Sequence, residues 1–398
     1  MVSRTDATFF PPIPEAQRWL RGVTFPKDRP LINLSQAAPA DPPPPAMRAA
    51  MAQMMEEPSS HSYGPVLGLP GLRAALAAEW SGHYGGSVDP AQVAITAGCN
   101  QAFAAMIAAT CGEGDEVILP VPWYFNHKMW LDMSGVKAVP LPCGPDLLPD
   151  PQAARALITP RTRAIAMVTP NNPCGVEYPA EVLDGFFEVC RDAGIRLIVD
   201  ETYRDFDSRS GAPHGLLTRD GWDETLIQLY SFSKVYRLTG HRVGAIIGAA
   251  PLLHQIEKFQ DTVAICAPSL GQRAAQWGLE HLAQWTAEQR DEILDRRAAV
   301  EQHFAPLAAK GWALLGCGAY FAYIEHPFAE GSAQLAPRLV RDAGVLILPA
   351  TMFTPEGDRS GDRQFRVAFA NSDRAGIAEF ARRLSQVEGP LAASQGAE

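Results

Sequence analysis

The chain lacks several features that would point its reading elsewhere. It has no C-x-x-C pair. Its seven cysteines, at 99, 111, 143, 174, 190, 266 and 317, are odd in number and show no paired spacing. Buried, reduced thiols in a cytoplasmic setting are therefore expected rather than a disulfide scaffold. No run of about 18 apolar residues occurs, and the N-terminus "MVSRTDATFFPPIPEAQRWLRG" has no apolar signal core. Positive charge is in deficit, with 34 Lys and Arg against 44 Asp and Glu and a net charge of −10. Neither nucleic acid nor a membrane surface is expected as a partner, since both call for a broad basic face. The nine histidines include no H-x-x-x-H and no pairing with cysteine, so no metal is expected. The Gly-rich "GPVLGLPG" (64–71) matches neither a P-loop nor a dinucleotide-binding turn.

What is present is the alternation of an α/β protein. The 398 residues exceed what one core usually holds, so two domains are expected. Residues 1–45, ending in "APADPPPPAM", read as a Pro-rich arm that also belongs to the smaller domain. Residues 46–285 read as the large domain. Its short apolar runs are "QVAIT" (92–96), "EVILP" (116–120), "VKAVPL" (136–141), "RAIAMV" (163–168), "IRLIVD" (195–200), "LIQLY" (226–230) and "VGAIIG" (243–248). Segments of helical length separate most of them. This predicts a mostly parallel, seven-stranded sheet with helices on both faces. Residues 286–398 open on a long charged helix and read as a smaller α+β domain.

In such sheets ligands gather beyond the carboxyl ends of the strands, so the residues after each run are the candidates. "AGCNQA" follows the first run. Gly98 there permits close approach, and the N–H groups of Cys99 and Asn100 could bind an anion at a helix start; a plain strand-to-helix turn is the alternative. "TPNNPCG" (169–175) offers Asn171, which suits turn chemistry alone, and Asn172, whose amide could aim into a cleft. "IRLIVD" ends on the acid Asp200, with Tyr203 three residues on. That acid caps a helix or holds a proton on a heterocycle. "SFSKVYRLTGHRVG" (231–244) sets Lys234 between Ser231, Ser233 and Arg242 just past a buried strand. Hydroxyl, guanidinium and helix start would together make a phosphate cup. A lysine beside it suits a Schiff base to an aldehyde. Pyridoxal phosphate has all of these parts, and one cofactor would account for four separate loops.

At this point the chain resembles the class I/II pyridoxal-phosphate-dependent aminotransferases of fold type I. The resemblance runs in order through "YGPVLGLPGLRAAL" (63–76), "TAGCNQAF" (96–103), "PVPWYFNH" (120–127), "TPNNPCG", "VDETYRDF" (199–206), "SFSKVYRLTGHRVG" and "RQFRVAFAN" (363–371). It implies that Lys234 carries the cofactor as a Schiff base and then moves the substrate α-proton. It implies that Asp200 keeps the pyridine nitrogen protonated, and that Asn172 and Tyr203 donate to the phenolic oxygen. Gly98, Cys99, Asn100, Ser231, Ser233 and Arg242 would hold the phosphate, and Tyr124 would stack on the ring. Tyr63 would reach the phosphate of a neighbouring subunit, which implies a homodimer with composite sites. Arg366 would clamp the substrate α-carboxylate, with Asn172 and Ala37 beside it.

Two departures from the family pattern bear on substrate. Ala37 in "QAAP" stands where relatives often have glycine. Asn100 stands where aspartate-specific relatives often carry lysine. A neutral or aromatic amino donor is the expectation, with Trp123, Tyr124 and Tyr320 supplying apolar area and His127 a candidate substrate contact. The alternative on the same fold is a carbon–sulfur β-lyase or a decarboxylase. A transcription regulator with an aminotransferase-like sensing domain would need a DNA-binding segment ahead of the fold, and the Pro-rich, non-basic first 45 residues do not supply one.

Overall fold

The computed structural model describes residues 3–392. Strand β1 (Ile32–Asn33) lies in the N-terminal arm. The next seven are β2 (Val93–Thr96), β3 (Glu116–Val121), β4 (Lys137–Pro142), β5 (Thr162–Val168), β6 (Arg196–Asp200), β7 (Leu226–Ser231) and β8 (Gly244–Ile247). They form one sheet in the order β2-β8-β7-β6-β5-β3-β4. All pairings are parallel except those of β8, which runs against both β2 and β7. The seven runs picked out in the sequence are these seven strands.

The apolar runs are continuous because both sheet faces are covered. Successive residues point to opposite faces. In β2, Val93 and Ile95 enter one core while Ala94 enters the other. In β6, Leu197 and Val199 face one way and Ile198 the other. The helices that cover the faces follow their own periodicity. In Ala180–Ala193, Leu183, Phe186, Phe187 and Cys190 are buried on one stripe, and Gly194 in the left-handed region (φ 66°) ends the helix.

The remaining strands are β9 (Ala313–Gly318), β10 (Phe321–Glu325), β11 (Val345–Leu346), β12 (Leu348–Pro349) and β13 (Gln364–Val367). Four of them make an antiparallel sheet in the order β12-β13-β10-β9. The charged segment near 285 is the helix Ala283–Phe304.

The arm is more than an extended linker. Residues Pro12–Arg18 form a helix, and β1 pairs in parallel with β11. Ala16 is fully buried in a cluster with Phe125, Met129, Val340 and Leu346. Prolines obscured this in the sequence, yet proline suits a first helical turn, where its missing N–H would have no partner anyway. Pro45 likewise opens the helix Pro45–Met54. Among the described residues no helix is long and apolar enough to cross a membrane.

Candidate active site

Sheet register explains why distant segments meet. Thr96 and Ser231, the last residues of β2 and β7, both pair with Gly244, the first residue of β8. Because β8 is reversed, its incoming residue Arg242 arrives where the other strands leave. Asp200 ends β6 level with Leu229, and Val168 ends β5 level with Asp200. A cavity of about 460 Å³ opens at this edge. Most residues proposed from the sequence to touch cofactor or substrate within one chain line it: Ala37, Cys99, Asn100, Tyr124, Asn172, Asp200, Tyr203, Ser231, Ser233, Lys234, Arg242 and Arg366.

One end is a cradle of backbone and guanidinium. Gly98 (φ 88°) precedes the helix Cys99–Thr110, and a Cβ there would lie 2.0 Å from Arg242 Nη2. A Cβ on Gly244 would lie 2.6 Å from the Cys99 nitrogen. Only glycine fits either place, and only glycine takes the Gly98 backbone without strain. The N–H groups of Cys99 and Asn100 have no hydrogen-bond partner among the described residues. Arg242 Nη1 donates to Thr239 O at 3.0 Å and to Ser233 Oγ at 3.5 Å, while Ser231 Oγ accepts from Ser233 N at 3.2 Å. The helix start and the cation make this end attractive to an anion.

The middle holds the ionisable groups. Lys234 Nζ donates to Ala37 O at 2.5 Å and lies 5.9 Å from the centre of the Tyr203 ring. Burial, then the neighbouring Arg366 and Arg242, lower its pKa to about 8. Asp200 is 3% exposed. One of its oxygens accepts from Thr202 N at 3.0 Å, so it does cap the local turn. The other lies 3.3 Å from His127 Nε2. His127 is itself stacked on Phe103 at 3.8 Å and does not line the cavity. The expectation of a substrate contact at His127 is corrected: the histidine backs Asp200. Its position in the first turn of the helix Phe125–Ser134 aims it at the sheet edge. Tyr124 Oη donates to Asn100 Oδ1 at 3.2 Å and accepts from Asn126 Nδ2 at 2.8 Å.

The far end is built by the small domain. Arg366 on β13 is 2% exposed and lies 5.0 Å from the ring centres of Phe321 and Phe353. Its Nη1 donates to Asn172 Oδ1 at 3.1 Å and its Nη2 to Ser35 O. Its Nε has no partner among the described residues. Burial lowers its pKa to about 10. A buried cation with an open N–H and no acid beside it is a place for a carboxylate. Asn171, by contrast, spends its side chain on Cys174 N at 2.9 Å and on Tyr178 Oη at 3.0 Å, which is turn chemistry.

Two aromatics sit elsewhere than expected from the sequence. Trp123 is buried in the core under the sheet, and Tyr320 packs on Phe206 and Tyr203 at 4.9 and 5.4 Å; neither lines the cavity. Both belong to core packing, which an apolar pattern cannot separate from a pocket wall. The apolar lining comes instead from Pro11, Ile13 and Pro14 of the arm and from Phe125. Tyr63 is 79% exposed and stands outside the cavity of its own chain.

A twisted, mostly parallel sheet with this site at its carboxyl edge defines the fold-type I class of pyridoxal-phosphate enzymes. Residues 29–384 match the family "aminotransferase class I and II", and the chain belongs to that family. It is a pyridoxal-phosphate-dependent transaminase. The chain is 29% identical to an aromatic aminotransferase of Arabidopsis thaliana over 394 residues, covering 96% of this chain and 94% of that protein. It is 30% identical to a valine–pyruvate aminotransferase of Mycobacterium tuberculosis over 368 residues, covering 89% and 90%. Among solved structures it superposes on an N-succinyldiaminopimelate aminotransferase of Mycobacterium tuberculosis with a TM-score of 0.86 at 26% identity, covering 97% of this chain and 99% of that one. The cavity fits the cofactor: a cradle that a Cβ would fill, two open N–H groups, a low-pKa amine and a buried acid lie in one space.

Proposed function

We propose that the enzyme moves the amino group of a neutral or aromatic L-amino acid to a 2-oxo acid, taking the two substrates in turn. When bound, pyridoxal phosphate supplies an aldehyde for the amino group and a ring that accepts electron density. The chain does the rest. Gly98, Cys99, Asn100, Ser231, Ser233 and Arg242 hold the phosphate. Asp200, backed by His127, holds the proton on the ring nitrogen. Asn172 and Tyr203 donate to the phenolic oxygen, and Tyr124 covers the ring. Lys234 carries the cofactor between turnovers and then moves the α-proton as a neutral amine, which its lowered pKa favours. Arg366, with Asn172 and the Ala37 backbone, orients the α-carboxylate. Tyr63 projects from the surface to complete the phosphate site of a partner subunit, so the working unit is a homodimer.

One observation carries the donor preference. The cavity has three cationic side chains, Lys234, Arg242 and Arg366. The first two serve the cofactor and the third serves the α-carboxylate. None of this chain's lining cations is left for a second carboxylate, and the lining offers Ile13, Pro14 and Phe125 instead. Burying a large apolar side chain there contributes roughly 1.5–3 kcal/mol, about ten- to a hundredfold in discrimination. The test is a donor panel with 2-oxoglutarate and pyruvate, following oxo acid and ammonia together. Neutral or aromatic donors should lead. A clear preference for aspartate overturns the pocket reading, and ammonia release without amino transfer overturns transfer itself.

A further inference from the structure

The arm enters the cavity as the segment Ser35–Ala38, and its backbone is held at every step. Ser35 O accepts from Arg366 Nη2, and Gln36 O accepts from Asn371 Nδ2. Ala37 O accepts from Lys234 Nζ at 2.5 Å. Ala38 N donates to Asn371 Oδ1 at 3.3 Å. Three successive carbonyls are thus gripped by three different side chains. The Ala37 N–H, in the middle of the segment, has no partner among the described residues.

These tethers differ in fate. Arg366 and Lys234 are the groups that meet substrate and cofactor, so their hold on the strap is given up in the working enzyme. Asn371 touches neither. It lies five residues beyond Arg366, on the turn Phe369–Asn371 after β13, and grips the peptides on both sides of Ala37 with donor and acceptor at once. Arg296 Nη1 in turn holds the neighbouring Ala370 O. A planar carboxamide bonded at both ends fixes the rotation of the strap, which fixes the direction of the Ala37 N–H. Without that grip the strap keeps its internal bond from Ala38 N to Gln36 O at 3.1 Å and the bonds of Ser35 to Asn33 Oδ1, none of which ties it to the turn after β13.

We propose that Asn371 is the positioning residue that aims the Ala37 N–H at the substrate α-carboxylate beside Arg366. This rests on the carboxylate reading of Arg366. A backbone N–H to a carboxylate is a charge-assisted bond, and its loss costs roughly ten- to a hundredfold in binding. The loss should fall on ligands with a carboxylate and spare those without.

The experiment uses the holoenzyme and single-turnover absorbance changes with two probes. L-Alanine has a methyl side chain that asks nothing of the apolar lining, and ethylamine lacks the carboxylate. For Asn371→Ala the apparent dissociation constant for L-alanine should rise about tenfold or more, with the ethylamine rate unchanged. Asn371→Asp has the same size and keeps the acceptor for Ala38 N, but cannot donate to Gln36 O. It should show the same selective loss. Equal losses on both probes, no loss on either, or failure of both variants to retain cofactor would each mean a merely structural role and overturn the proposal. Arg366→Ala is the reference. If it too spares L-alanine, the carboxylate reading falls and this inference with it. If it is selective while the Asn371 variants are not, only the inference falls.

Discussion

His127 Nε2 stands 3.3 Å from Asp200 Oδ2, with both side chains about 4% exposed. A carboxylate so buried needs a fixed partner on the side away from the cavity. Asp200→Ala should leave a folded protein whose transamination falls about a thousandfold or more, since stabilisation of developing negative charge is lost. His127→Phe removes only the backing and should cost on the order of tenfold. Turnover with every donor should fall in both variants. Near-normal rates for Asp200→Ala would place the electron-sink role elsewhere.

Lys234 should be the one lysine that carries the cofactor. Borohydride reduction of the holoenzyme followed by peptide mapping should fix pyridoxyl to the peptide containing "SFSK" alone. A label on another lysine, or none after Lys234→Ala is compared, decides the matter directly.

The pH dependence of cofactor capture follows from the lowered pKa of the same amine. Only a neutral amine attacks an aldehyde. Burial and the Arg366 and Arg242 charges bring Lys234 to about 8, below the ordinary lysine value of 10.5. Stopped-flow capture of pyridoxal phosphate by cofactor-free protein should therefore speed up with rising pH and level off above about 8. A rate still climbing steeply past pH 10 would mean an ordinary, hydrated lysine.

Gly98→Ala tests the cradle. The new Cβ would meet the Arg242 guanidinium at 2.0 Å, on a backbone at φ 88°. Arg242 must swing out of the cavity. Cofactor dissociation, followed by dialysis and residual absorbance, should weaken at least about tenfold, whereas Gly240→Ala, which meets nothing within 4 Å, should leave it unchanged.

Subunit mixing tests the composite site. Lys234→Ala and Tyr63→Ala proteins should each be impaired alone. A mixed dimer joins an intact Lys234 from one subunit to an intact Tyr63 from the other, so unfolding and refolding the two together should restore activity. No recovery would confine Tyr63 to its own chain's surface.

The large sheet was legible because both its faces are buried: runs such as "AIAMV" and "LIV" are apolar at every position, and turns bound the strands. The cavity-lining residues were legible because most lie within four residues of a strand end, Arg242 just ahead of β8 and the others at or after theirs. What stayed hidden depends on approach between distant segments. Nothing near His127 announces Asp200, and nothing near Asn371 announces Gln36, 335 residues away. The helix Pro12–Arg18 hid behind prolines that read as extended chain. Trp123 and Tyr320 were misplaced for the opposite reason, since an aromatic beside a site motif looks the same whether it faces the cavity or the core.

The pairing of β1 with β11 joins Ile32 to Val345 and so ties the arm to a strand made about three hundred residues later. Domains made first fold first. The cofactor cradle is complete in sequence once Arg242 has emerged, about one hundred residues before Val345 does. Until then the arm has no strand to lie against, Arg366 does not yet exist, and the strap is untethered. The residues that line the cradle thus precede in the chain both the strand that seats the arm and the arginine at the far end of the cavity.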